Sequence, residues 1–113
     1  GAFPVWLAPE QATIVTVSEK QNEYAEELVK LFASKGLRAR ADTSSDKLGA
    51  KIRSARLTRV PYIAVVGDKE VAERKVAPRS RDQNKDLGPM AADAFLEQVE
   101  RESHPPRLPK RDD

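Results

Sequence analysis

Short apolar runs alternate with helical segments along most of this chain. ATIVTV at residues 12–17 is rich in β-branched side chains, LRARAD at 37–42 alternates, and YIAVVG at 62–67 is continuously apolar. These patterns are typical of strands, and the last is typical of a central strand in a parallel sheet. Strands that alternate with helices predict an α/β fold, with parallel pairing through right-handed crossovers.

The first predicted helix has signals at both ends. Ser18 is a suitable N-cap, and Gln21 three residues later completes a capping box. Gly36 predicts the end of the helix, because glycine readily adopts the left-handed conformation found there. The apolar face has the spacing i, i+4, i+7 and i+8 and consists of Tyr24, Leu28, Leu31 and Phe32.

The second predicted helix covers about residues 46–58. The polar segment 43–46 supplies its cap, and Pro61 prevents it from continuing. Its apolar face consists of Leu48, Ile52 and Ala55.

The last third of the chain predicts a hairpin and a third helix. Two strands at 75–81 and 85–90 flank a turn at 82–84, and Pro78 favours a sheet edge or a bulge for the first of them. The antiparallel hairpin makes the sheet mixed. The third helix turns four apolar residues inward, namely Ala92, Phe95, Leu96 and Val99.

The length of 113 residues suits one domain, which we expect over residues 1–103. Residues 1–11 contain two prolines and predict an extended lead-in from an upstream domain, because the chain opens without methionine. The proline-rich segment 104–113 predicts a disordered tail. No apolar run approaches the roughly 20 residues that span a bilayer. The absence of cysteine favours a reducing compartment.

Side chains for catalysis are scarce. The only histidine is His104 in the tail, so no Ser-His or Cys-His pair is expected in the body of the domain. No segment has the spacing of a zinc site, a Walker loop or a dinucleotide fingerprint. The sequence therefore predicts a domain without catalytic residues, metal or cofactor.

Positive charge is distributed unevenly, although the net charge is only +2. A basic helix before the central strand and a basic hairpin after it can converge on one face and bind a polyanion. An ordinary solvated helix face is the alternative. The basic residues are Lys47, Lys51, Arg53, Arg56 and Arg59 in the second helix, and Arg74, Lys75, Arg79, Arg81 and Lys85 in the hairpin region.

Glu70 follows the central strand in what the sequence predicts to be a charged turn. Ligands of open parallel sheets bind beyond the carboxyl ends of the strands. A carboxylate repels phosphate but accepts hydrogen bonds from base-edge N–H groups, so Glu70 is a candidate for base recognition. The alternative is an ordinary acidic residue in a turn.

Several segments together resemble a known family. FPVWLAPEQ, YAEELVKLFASKGLRARAD, DKLGAKIRSARLTRVPYIAVVGDKEV and KDLGPM occur in this order within residues 3–102. They resemble the C-terminal anticodon-binding domain of bacterial threonyl-tRNA synthetases, a member of the class II synthetase group. The resemblance implies a three-layer α/β fold with a mixed five-stranded sheet and three helices.

The resemblance also implies that the domain reads the second and third anticodon bases of threonine tRNA. Lys47 and Arg53 then face the anticodon loop. Glu70 contacts a base edge, and Arg79 reads a guanine through its two-pronged guanidinium. The predicted RNA-binding residues are Ser45, Lys47, Lys51, Arg53, Glu70, Arg79 and Arg81.

Three features depart from the family pattern. Ser45 stands where relatives often have asparagine, and Pro78 replaces a more typical apolar residue. The turn within RSRDQNKDLG is one residue longer than the usual turn of the family and lacks the glycine of that turn. These departures bear on the base or sugar contact of Ser45 and on the geometry of Arg79.

For the parent protein, the resemblance implies ATP-dependent attachment of threonine to tRNA by a separate catalytic domain that uses ATP, Mg and Zn. It implies a cytoplasmic homodimer. One alternative is the same fold serving as an accessory or interaction module that does not read an anticodon. Another, a free-standing α/β enzyme, lacks a catalytic constellation.

Overall fold

The computed structural model describes residues 4–81 and 85–104. Short turns of 3-10 helix at Val5–Leu7 and Glu19–Gln21 accompany the regular elements. In chain order these are β1 (Ala12–Thr16), α1 (Asn22–Ser34), β2 (Ala39–Asp42), α2 (Leu48–Leu57), β3 (Tyr62–Val66), α3 (Asp68–Glu73), β4 (Lys75–Ser80), β5 (Lys85–Asp86), β6 (Met90–Ala91) and α4 (Ala92–Glu102).

The sheet is mixed, with the order β2-β1-β3-β4-β5. Strand β1 pairs in parallel with β2 and β3, and β4 pairs antiparallel with β3. This confirms the predicted five-stranded mixed sheet. The two-residue strand β6 is an addition, and it pairs with the start of β4.

Helices cover both faces of the sheet. On one face, Ile14 of β1 packs in a core with Phe32 of α1 and Phe95 of α4. On the other face, Ile63 of β3 packs with Ala55 of α2. The fold is therefore the predicted three-layer α/β arrangement, built on the three predicted helices, and the short helix α3 is an extra element.

The ends of α1 follow the predicted signals. The backbone N–H of Ser18 donates to Gln21 Oε1 at 2.7 Å, which is half of the capping box. A turn of 3-10 helix follows this cap, so the α-helix itself begins at Asn22. Gly36 has φ +74°, the left-handed conformation expected after a helix.

The lead-in packs against the domain and is not fully extended. Its segment Val5–Leu7 forms a 3-10 turn, and the buried Gln11 side chain donates to the Val5 carbonyl oxygen at 3.3 Å. Gln11 Oε1 accepts a hydrogen bond from the Arg38 backbone N–H at 2.8 Å. The Arg38 guanidinium donates to the Ala8 carbonyl oxygen at 2.8 Å. These contacts attach the lead-in to the loop before β2.

Pro78 lies within β4, opposite Ala64 of β3, so the expectation of an edge strand or bulge is wrong. Its carbonyl oxygen accepts a hydrogen bond from Leu87 N–H at 3.0 Å, on the side away from β3. Because the nitrogen and carbonyl of a strand residue point to the same side, the missing N–H of Pro78 also faces away from β3. The proline therefore costs no hydrogen bond between β3 and β4.

Element boundaries differ from the sequence expectations in several places. Strand β2 begins at Ala39 and not at 37. Helix α2 begins at Leu48 and not at 46, and the predicted strand 85–90 is divided into β5 and β6. The predicted turn 82–84 and all of the predicted tail after His104 lie outside the described residues. Among the helices of the described residues, none is long and apolar enough to cross a membrane.

Candidate nucleic-acid interface

The parallel strands β1, β2 and β3 end at the same edge of the sheet, which we call the carboxyl rim. It comprises Thr16, the segment 42–47 and the segment 67–70. Ser45 and Lys47 are exposed there, and Lys47 is the N-cap residue of α2. These two residues occupy the usual ligand-binding edge of an open α/β sheet.

Helix α2 runs from the carboxyl rim back to the opposite edge, where β3 begins. Ser54 and Thr58 line a small cavity with Arg40 of β2, so one flank of the helix faces β2. An α-helix turns by about 100° per residue. The exposed Arg53 therefore lies on the outer side of α2, and the exposed Arg56 lies on the other flank, toward β3 and β4. Arg56 thus borders the β4 half of the sheet and Arg53 faces outward beside it. We call these two residues the basic flank of α2.

Lys51 is not on this basic flank. Its side chain is buried, with 2% relative exposure, and its Nζ donates to both the carbonyl oxygen and Oγ1 of Thr16 at 3.0 Å. The expectation that Lys51 lies on an exposed basic face of the helix is therefore wrong. Its ammonium connects α2 to the end of β1 instead.

Asp42, the last residue of β2, stays ionised beside Lys51. Burial acts to raise the pKa of Asp42, but hydrogen bonds from Ser44 and the positive charges of Lys51 and Arg40 outweigh it. The pKa of Asp42 is consequently lower than its ordinary value. The Ser44 backbone N–H donates to Asp42 Oδ1 at 3.1 Å, which shapes the loop that carries Ser45.

Glu70 lies in α3 and not in an irregular turn. Its Oε1 accepts a hydrogen bond from the Gly67 backbone N–H at 2.8 Å, so Glu70 caps the helix that it belongs to. The side chain is half-buried at the carboxyl rim. The carboxylate is thereby held in one position at the carboxyl rim.

Arg79 lies opposite Ile63 in the β3–β4 ladder. Opposed residues project to the same face of a sheet, and Ile63 packs on the α2 side. Because α2 packs mainly over β1 and β3, Arg79 is only half-buried on that face. The guanidinium therefore shares a face with the basic flank of α2.

Arg81 lies at the edge opposite the carboxyl rim. Its backbone N–H donates to the Pro61 carbonyl oxygen at 2.8 Å, and its Nη1 donates to the Arg59 carbonyl oxygen at 3.0 Å. Arg79 is three ladder positions from the last residue of β3, which is about 10 Å along the strand. The predicted residues are thus spread between the carboxyl rim and the opposite edge and do not form one cluster.

Arg74 departs from the expected convergence of basic residues. Its Nη2 forms an ion pair with Glu27 Oε1 of α1 at 3.0 Å, and its guanidinium lies 5.6 Å from the centre of the Tyr24 ring. The hydrogen bond to Glu27 raises the pKa of Arg74. Because α1 covers the other face of the sheet, Arg74 does not join Arg79 on the α2 face.

Within residues 4–81 and 85–104, no group of three His, Cys, Asp or Glu side chains could hold a metal ion.

Residues 11–102 match the family of anticodon binding domains. The chain belongs to this family. The threonine–tRNA ligase of Clostridium botulinum is 50% identical over 99 residues, which is 88% of this chain and 15% of that protein. The threonine–tRNA ligase of Anaeromyxobacter dehalogenans is 48% identical over 106 residues, which is 94% of this chain and 16% of that protein. The chain therefore spans a small part of the relatives that it matches.

Solved structures agree with this assignment. The RNA-binding domain of threonyl-tRNA synthetase from Cryptosporidium parvum has a TM-score of 0.86 and 30% identity, covering 93% of this chain and 26% of that one. Prolyl-tRNA synthetase of the same organism has a TM-score of 0.74 and 19% identity, covering 88% of this chain and 23% of that one. At this lower identity, the likeness shows the shared fold alone.

Sequence reasoning missed the contribution of Gly67. From the sequence, Gly67 is expected only to end the apolar run at 62–67. A signal was nevertheless present, because Glu70 follows Gly67 at the three-residue spacing of a capping box.

Proposed function

We propose that this chain binds the anticodon loop of threonine tRNA as the anticodon-binding domain of a threonine–tRNA ligase. The observation that carries the proposal is the position of Arg79 on the partly uncovered face of β4, beside the basic flank of α2. Identity of about one half to threonine–tRNA ligases over most of the chain supports the choice of tRNA.

Each exposed residue has a distinct chemical task in this proposal. Lys47 and Arg53 attract phosphates, and Ser45 donates to a sugar or base. Arg79 donates two hydrogen bonds to the acceptor edge of guanine. Glu70 accepts from the N–H groups of a base edge. Unstacked bases of an anticodon loop expose these edges.

The two remaining predicted residues act differently. Lys51 supports the site from below, because its ammonium is occupied by Thr16. Arg81 lies at the edge opposite the carboxyl rim, close to Arg59.

The parent protein is then an enzyme whose catalytic domain attaches threonine to tRNA with ATP. ATP, Mg and Zn would be bound by that domain, and the parent would be a cytoplasmic homodimer. The small share of each ligase that this chain matches leaves ample length for such a domain.

The experiment is a comparison of synthetic anticodon stem-loops by fluorescence anisotropy at fixed salt. The chain is titrated with the threonine loop and with loops altered at the second or the third anticodon base. We expect each alteration to weaken binding by about 1–3 kcal/mol. Equal affinities for all loops would contradict anticodon recognition and favour the accessory-module alternative.

A further inference from the structure

Gly67 joins β3 to α3 at the carboxyl rim, where its backbone is buried. Its φ of −120° and ψ of −169° are extended values that any residue adopts, so backbone conformation does not require glycine here. The space around the Cα atom is what restricts a side chain at this position. A Cβ atom would lie 3.2 Å from Glu70 Oε1 and 3.2 Å from Val17 Cγ2, which is crowded on both sides.

The same residue supplies the donor that holds Glu70. The Gly67 N–H lies 2.8 Å from Glu70 Oε1, so the carboxylate folds back over the glycine. A methyl group at position 67 would enter the space that this carboxylate occupies. The carboxylate of Glu70 or the side chain of Val17 would then have to shift by about a few tenths of an ångström.

The surroundings restrict how far the neighbours can move. The Val17 backbone N–H donates to the Val66 carbonyl oxygen at 3.1 Å, which ties the exit of β1 to β3. The buried Gln21 side chain donates to Asp68 Oδ1 at 2.6 Å, which ties the start of α3 to the capping box before α1. The backbone on both sides is therefore held in place, so a side chain, that of Glu70 or that of Val17, has to make room.

We propose that Gly67 is a positioning residue for base recognition. By lacking a side chain, it lets Glu70 rest on its backbone N–H and present the carboxylate at one fixed place on the carboxyl rim. The inference rests on the proposed function, since it concerns how one base contact of that interface is oriented.

The test compares Gly67→Ala with Gly49→Ala, a matched control in α2 where a Cβ would meet nothing within 4 Å. Each variant is titrated with the threonine anticodon stem-loop and with loops altered at one anticodon base. We expect Gly67→Ala to reduce the ratio of matched to altered affinity about tenfold at the base that Glu70 reads. Its salt dependence should stay unchanged, because no phosphate contact is lost. Gly49→Ala should behave like the wild type.

A rescue variant separates displacement of Glu70 from general damage. Val17→Ala removes the group on the other side of the new methyl, so Val17→Ala/Gly67→Ala should recover discrimination. If the wild type does not discriminate, the proposed function falls, and this inference falls with it. If the wild type discriminates, Glu70→Ala abolishes this, and Gly67→Ala leaves it intact, only the role of Gly67 is overturned. Failure of the Val17→Ala rescue also contradicts the proposed crowding.

Discussion

The ammonium of Lys51 lies beneath the carboxyl rim, where it donates two hydrogen bonds of 3.0 Å to Thr16. One bond goes to the carbonyl oxygen at the end of β1 and the other to the hydroxyl of the same residue. Lys51 therefore joins the first turns of α2 to the sheet. Lys47 lies one turn before Lys51, so the attachment of α2 to β1 also fixes the position of Lys47.

Replacing Lys51 by Met should destabilise the domain without removing a phosphate contact. We expect a loss of about 1–3 kcal/mol in the free energy of unfolding, because buried acceptors of Thr16 lose their partner. The slope of log affinity for the anticodon loop against log salt should not change. Urea unfolding and anisotropy at several salt concentrations measure the two quantities. A reduced salt slope with unchanged stability would contradict this prediction and show that Lys51 contacts phosphate.

Replacing Lys47 or Arg53 by Ala should have the opposite profile. Both side chains are exposed, so stability should change by less than about 0.5 kcal/mol. Binding should weaken similarly for all loops, and the salt slope should fall by about 0.7 per lost contact with single-stranded RNA. Lys30→Ala is the matched control, because Lys30 is exposed on α1 at the other face. An equal effect of Lys30→Ala would show that binding depends on the total charge of the domain and not on the positions of Lys47 and Arg53.

The contrast between Lys51 and Arg53 shows where sequence reasoning reached its limit. Position 51 has the helical spacing of the inward face, between Leu48 and Ala55, so its burial was readable in principle. Its charge argued for exposure, because a lysine is rarely buried unless paired. The partner is a backbone carbonyl at the end of another strand, which no local pattern reveals.

Other elements show the same division. The limits of α1 were predictable, since the Ser18 cap and Gly36 act within a few residues of the helix ends. Helix α3 was not predicted, because six residues contain too few turns for a periodic signal. The ion pair of Arg74 with Glu27 joins positions far apart in sequence. The sequence alone therefore could not show that Arg74 and Arg79 lie on different faces of the sheet.

Arg79→Lys should weaken recognition of guanine more than overall binding. Lysine keeps the charge but loses the planar fork, so it cannot donate two parallel hydrogen bonds. We expect discrimination against a replaced guanine to fall by about 1–3 kcal/mol, with a nearly unchanged salt slope. The control is Arg74→Lys, whose guanidinium lies on the other face with Glu27. Titration of matched and altered loops decides whether only Arg79 affects discrimination.

Asp42 should make stability depend on pH in a defined direction. Its pKa is lower in the folded protein than the ordinary 3.8, so its ionised form is favoured by folding. The ionised Asp42 side chain contributes fully to the free energy of unfolding above pH 3.8. This contribution is lost as the pH falls through the lower pKa of the folded protein. The difference in unfolding free energy between wild type and Asp42→Asn should therefore shrink with acidification. Urea unfolding from neutral to acidic pH tests this, and a difference that grows in acid would contradict it.

Glu70→Ala and Glu70→Gln should separate helix capping from base recognition. Glu70→Ala removes the acceptor of the Gly67 N–H and should cost about 1 kcal/mol of stability, since α3 loses its cap. Glu70→Gln keeps an oxygen at that position and should leave stability nearly unchanged, because glutamine also completes a capping box. Thermal melts of the two variants measure this part.

In binding to anticodon loops, Glu70→Gln should differ from the wild type, although its stability does not. Glutamine retains one acceptor oxygen but lacks the negative charge, so Glu70→Gln should lose part of the discrimination between loops, although its fold is intact. Its affinity for an altered loop should stay the same or rise, because a charge that repels phosphate has been removed. If Glu70→Gln discriminates as the wild type does while Glu70→Ala does not, Glu70 acts through the Gly67 cap alone. If neither variant changes discrimination, base recognition at this edge belongs to other residues, and the carboxylate serves only to begin α3.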